Sequence, residues 1–114
     1  MRLELAKYFH DVQSAAHTLA GFVEGRTWAD YERDAMLRAA VERQFEIIGE
    51  ALAQPAKRDP ALAGRIREHR QIIAFRNILI HGYAEVDDRL VWDVVQSRLP
   101  TLLQQVDDLL APTR

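Results

Sequence analysis

The stretch 71–83, QIIAFRNILIHGY, is the most apolar run in the chain, yet it carries an arginine, an asparagine and a histidine. Burying such groups is costly unless they are paired or put to use. Apolar residues fall on most sides of this segment when it is wound as a helix. It therefore reads as the third principal helix of an all-α protein, running from about 66 to 80 and ended by Gly82. That pattern predicts a helix that is central or faces a partner chain. Asn77 and His81 are four apart and share a face. Arg76 lies about a hundred degrees round from Asn77 by 3.6-residue geometry.

The flanking sequence extends the helical pattern in both directions. Residues 3–23 place Leu5, Phe9, Val12, Ala16, Leu19 and Val23 at three- and four-residue steps, and Gly25 supplies a stop. In the stretch TWAD, Thr27 is the expected cap, with Asp30 three residues on, close to a capping box. A short helical turn then leads into a long helix near 34–53, striped by Leu37, Val41, Phe45, Ile48 and Leu52. Pro55 and the following KRDP are expected to break it. Asp59 and Pro60 open a short turn, with proline at the first helical position. Asp87 or Asp88 caps a last helix from about Leu90, in which Pro100 is expected to cause a kink or a split. No segment alternates with a period of two. The expectation is one domain over 1–114, an up-down four-helix bundle with one or two short extra helical turns.

Composition narrows the function. The chain has 114 residues, 48% of them hydrophobic, enough for a core without staples, and no cysteine, which excludes disulfides and thiolate metal sites. A net charge of −2 argues against a general nucleic-acid coat protein but leaves room for a local basic patch. Thirteen of the fifteen cationic residues are arginine, and Arg65, Arg67, Arg70 and Arg76 fall within twelve positions with Glu68 the only acid among them. The start, MRLELAKYFHD, has no signal-peptide h-region, and no apolar run reaches membrane-spanning length. A cytoplasmic location, with no membrane partner, is the expectation.

Residues 76–83 gather a permanent cation, a group that titrates near neutrality, an amide and a phenol. Phosphoryl transfer on RNA suits that set. Histidine moves a proton at physiological pH, and arginine holds a phosphate and stabilises developing charge. No metal or other cofactor is required when the nucleophile is the neighbouring 2′-hydroxyl. A purely structural reading stands beside this one. In it Arg76 pairs with a core carboxylate such as Glu46 or Glu50, while Asn77 and His81 finish the helix end.

The segment RNILIHGY resembles the R-x4-H-x-Y form of the HEPN-domain signature. HDVQSAAHTLAGFVEG (10–25), VERQFEIIGEAL (41–52) and VDDRLVWDVVQSRLPTLLQQV (86–106) resemble the first, second and last helices of the HepT-like family. The resemblance spans nearly the whole chain. It implies a small helical homodimer, a ribonuclease toxin of a type VII toxin–antitoxin pair whose antitoxin is a minimal nucleotidyltransferase. It implies Arg76 and His81 as the catalytic pair, Asn77 as a supporting polar residue, and Tyr83 as the tyrosine to which the antitoxin adds AMP, blocking activity. Many members carry a Trp-Arg or a Gly-Met before the motif where this chain has EHRQIIAF, so substrate contacts there do not carry over. The alternative is a non-catalytic helical module that partners a nucleotidyltransferase, and a third reading is a plain dimerisation domain.

Independently of any resemblance, strand cleavage by 2′-hydroxyl attack needs one base and one acid, and this motif supplies one histidine per chain. Two symmetric copies would bring both together. The remaining candidates read as structural. His10, His17 and His69 are expected to be solvated, Trp28 and Trp92 to anchor core or interface, and Glu46 and Glu50 to pair with Arg76 or Arg43 rather than bind metal.

Overall fold

The computed structural model describes residues 1–82 and 85–112. Among them the chain forms six α-helices and no strand: α1 (Leu3–Val23), α2 (Trp28–Arg33), α3 (Ala35–Arg58), α4 (Pro60–Ala63), α5 (His69–His81) and α6 (Asp88–Leu110). None is long and apolar enough to cross a membrane. The four long helices form the expected bundle, with α2 and α4 as the extra turns.

The boundaries follow local chemistry. α1 ends where Gly25 takes φ 72°, a left-handed conformation that costs glycine little. The capping box before α2 is complete: the Asp30 amide donates to Thr27 Oγ1 at 3.2 Å, and the Thr27 amide donates to Asp30 Oδ2 at 2.9 Å. Asp34, Asp59 and Asp87 cap α3, α4 and α6 through their carboxylates. The Gly82 amide closes α5 on the Ile78 carbonyl at 2.8 Å.

Cross-helix contacts set the order. Arg58 at the end of α3 reaches Glu4 at the start of α1 at 3.5 Å, so these two helices run antiparallel. Asp107, late in α6, accepts from Gln13 of α1 at 2.9 Å and meets His17 Nε2 at 3.0 Å. Phe45 and Phe75 join α3 to α5 edge to face, with centroids 5.3 Å apart. One continuous core runs through all four, including Phe9, Leu19, Tyr31, Ile48, Leu52 and Val106.

Two expectations are corrected, at Pro55 and His69, and two that left alternatives open are narrowed, at Pro100 and α5. α3 does not stop at Pro55 but continues to Arg58: the ring is buried, and the Asp59 amide still bonds the Pro55 carbonyl at 2.8 Å. Of the kink or split expected at Pro100, the split does not occur: α6 runs through it. Val95, Leu99, Leu102 and Val106, on both sides of it, are all buried, and their packing outweighs one lost helical hydrogen bond. His69 is buried rather than solvated, its Nδ1 donating to the Ile66 carbonyl at 3.0 Å, because α5 begins only there, after a turn that buries Ile66. Finally, of the two places expected for α5, central or facing a partner chain, the central one does not hold. Ile72, Phe75 and Leu79 are buried, whereas Ile78 and Ile80 are 53% and 38% exposed, so its outer face is open.

Candidate functional site

The last turns of α5 carry Arg76, Asn77 and His81, and the helix sends them in different directions. Arg76 turns toward α3, where its Nη1 lies 3.3 Å from Glu50 Oε2. The pair is lopsided: the Arg76 side chain is 20% exposed and that of Glu50 69%. The Arg76 Nε is fully buried and has no hydrogen-bond partner among the described residues. The arginine thus takes one of the two carboxylates expected for it, but Glu50 is a rim residue rather than a core one.

Asn77 and His81 are exposed on the outer side of α5. Among the described residues no hydrogen bond or ion pair joins either of them to Arg76 or to each other. Among the described residues the cation is held and the imidazole has no partner. Tyr83 lies outside the described residues.

The Arg76 stem runs against Gly49 of α3. A Cβ on that glycine would stand 2.4 Å from Arg76 Cβ and 2.8 Å from Arg76 Cγ, so the two helices meet there at a separation only glycine permits. Beside this seam a groove of about 500 Å³ opens between α1, α3 and α5, lined by Tyr8, Arg43, Glu46, Glu50, Gln54 and Ile80 among others. It has the volume and mixed polarity of a ligand cleft. Further along, Arg65, Arg67 and Arg70 are exposed at and before the start of α5, and Glu68 is taken up in an ion pair with Arg98 of α6.

A second polar cluster, which the sequence reading missed, lies where α2, α3 and α6 meet. Tyr31 is fully buried between Trp28 and Trp92, and its hydroxyl has no partner among the described residues. Burial pushes its phenol well above the ordinary range, with the charges of Glu42 and Asp88 adding and Arg38 opposing. Burial also raises the Glu42 carboxyl, helped by Asp88 and Glu46 and opposed by Arg38. Arg38 lies 3.5 Å from Asp88 and donates to the Tyr31 carbonyl at 3.3 Å. Tyr31 is closed off from solvent, and the cluster reads as a helix junction.

Of the other candidates, His10 and His17 are exposed as expected, with His17 engaged by Asp107. Trp92 is buried and Trp28 half-buried, the latter covered by the Arg89 guanidinium 4.9 Å from its ring. Asp87 is the cap, while Asp88 serves Arg38. The signal for Gly49 was visible as a lone glycine inside an apolar helical pattern, IIGEAL, but its neighbour across the seam was not.

A family model described as Ribonuclease HepT-like matches residues 12–109, a span containing the whole of α5 and Tyr83. Two relatives each named "Putative RNase" come from Caldanaerobacter subterraneus subsp. tengcongensis and Methanocaldococcus jannaschii. They are 29% and 27% identical over 90% and 91% of this chain, and over 91% and 94% of their own lengths. A protein of Thermococcus cleftensis named "Probable ribonuclease HepT" is 30% identical over 90% of this chain and 92% of its own. No solved structure matches the chain. With the all-α bundle and nearly full-length agreement pointing the same way, the chain belongs to the HepT-like ribonuclease family.

Proposed function

We propose that this chain is an RNA endonuclease and the toxin of a type VII toxin–antitoxin pair, acting in the cytoplasm without a metal. The observation that carries the reading is the end of α5: a guanidinium held by Glu50, a residue of the wall of an open groove, and an exposed imidazole five residues on. In the reaction, the 2′-oxygen adjoining the scissile bond attacks phosphorus as His81 takes its proton. The P–O5′ bond breaks and the leaving oxygen is protonated, giving a 2′,3′-cyclic phosphate and a 5′-hydroxyl. Arg76 stabilises the charge on the phosphorane oxygens, and Asn77 orients the RNA beside the histidine.

One His81 cannot be both base and acid in the same encounter. The proposed active species is therefore a homodimer in which each copy contributes an imidazole across a two-fold axis. The open outer face of α5, with Ile78 and Ile80 exposed beside His81, supports that arrangement. AMP added to Tyr83 by a cognate nucleotidyltransferase would place negative charge two residues from His81 and repel the RNA backbone.

The test is cleavage of RNA by the purified chain in EDTA, with the ends mapped. Cyclic phosphate ends from the wild type, absent with Arg76→Ala and with His81→Ala, are expected. Intact RNA with wild type, together with a mass gain of AMP on Tyr83 when the nucleotidyltransferase is supplied, would instead mark a non-catalytic module. A folded monomeric variant that cleaved as fast as wild type would remove the composite site.

A further inference from the structure

We propose that Gly49 and Glu50 of α3 are positioning residues for Arg76: the glycine sets where the arginine stem runs, and the glutamate sets where its guanidinium points. The inference rests on the reading of Arg76 as the phosphate-binding cation. It concerns residues outside the R-x4-H-x-Y segment.

Distances carry the first half. A Cβ at position 49 would lie 2.4 Å from Arg76 Cβ, 2.8 Å from Arg76 Cγ and 3.4 Å from the Ile72 carbonyl oxygen. Arg76 Cβ is bonded directly to the α5 backbone, so no rotamer change can move it aside. With any other residue at 49, α5 itself must move off α3. Gly49 is buried, and Ile48 and Leu52 beside it are fixed in the core, so the displacement falls on the helix carrying Arg76.

Exposure carries the second half. An ion pair whose carboxylate is 69% exposed contributes little to folding. Its effect is on direction. Arg76 Nε points into the seam with no partner among the described residues, and Nη1 is drawn to Glu50 Oε2 on the groove wall. A single contact of 3.3 Å leaves the other Nη donors for a phosphate oxygen.

The test compares wild type with Glu50→Ala, Glu50→Gln, Gly49→Ala, Arg76→Lys and Arg76→Ala, using a labelled single-stranded RNA of mixed sequence and the ¹⁵N–¹H signal of the Arg76 Nε–H. Loss of that signal in Arg76→Lys assigns it. Glu50→Ala is expected to lower kcat about tenfold with KM within about twofold, because the donor is misplaced at the transition state rather than lost from binding. It should also shift the Nε–H signal and speed its solvent exchange. Glu50→Gln keeps an acceptor at the same reach and should recover at least half of the lost kcat. Gly49→Ala should shift the signal further and lower kcat more. If Gly49→Ala fails to fold, Glu50→Ala, altered on an exposed side chain, still decides.

Unchanged or raised kcat in Glu50→Ala, or an unmoved Nε–H signal, overturns the proposal. Glu50 would then be a bystander or a competitor of the phosphate. Wild-type cleavage that survives Arg76→Ala overturns the underlying reading of Arg76 instead, whatever the signal does.

Discussion

Two seams of this molecule bury a polar group that lacks a partner among the described residues, and only one of them looks like a site. At the α3–α5 seam the orphan is Arg76 Nε; at the α2–α3–α6 junction it is the Tyr31 hydroxyl. Arg76 has a glycine beneath its stem, an exposed glutamate at its tip and a groove of about 500 Å³ alongside. Tyr31 is sealed between Trp28 and Trp92, with Glu42 and Asp88 repelling its ionised form. An unpartnered buried polar atom therefore does not mark a site by itself. A route from that group to open space, and a charge that a ligand can use, separate the two.

The largest expected effect lies at the first seam. Arg76→Ala and His81→Ala should each reduce RNA cleavage about 10²–10⁴-fold, the range for losing a positioned charge or a proton-transfer group. Chemical denaturation of Arg76→Ala should show a stability change of no more than about 1 kcal/mol, since the ion pair is rim-exposed. A loss of about 3–5 kcal/mol would instead make Arg76 a buried structural partner and erase the contrast.

Next comes the apolar half of the same seam. Phe75→Ala removes the edge-to-face contact with Phe45 and should cost about 3–5 kcal/mol on denaturant unfolding. A smaller loss would mean that α5 is held mainly by the Arg76 region.

The junction should respond to pH. The folded-state pKa of Glu42 is raised, so the fold favours its protonated form. Its ionised form therefore costs stability at neutral pH, and that cost disappears as pH falls through the raised value toward the ordinary 4.5. Glu42→Gln should raise the thermal midpoint at pH 7, and the gain should shrink as the pH is lowered toward 4.5. A gain independent of pH would assign the effect to packing. The smallest effect belongs to Tyr31→Phe. Removing an unpartnered hydroxyl should leave stability unchanged or raise it by about 1 kcal/mol, with cleavage unaffected. A clear loss would show that the hydroxyl has a partner and that the junction is a working network.

Much of this was legible in the sequence because it is written in short-range chemistry. Thr27 with Asp30, Asp59 before Pro60, and Asp87 before the last helix each cap what they precede. The four apolar stripes that bury the core could be counted off at helical spacing. The failures share a cause. Pro55 and Pro100 break helices by local rules, but the packing of their neighbours overrides those rules, and a linear reading does not show packing. His69 is buried because of where a turn places it. α5 is apolar on more sides than it buries, so its composition could not tell core from open face. The pairing of Arg76 with Glu50 was one of the readings left open, whereas the contact of Arg76 with Gly49 required knowing which faces of two helices meet.

Gly49 has a consequence for the genetics of this chain. Every missense change at that codon adds at least one carbon to a position where a hydrogen is all that fits. Position 49 is thus a mutational target with no conservative neighbour. A selection for escape from growth arrest, if this chain causes it, should recover alleles there alongside those at 76 and 81.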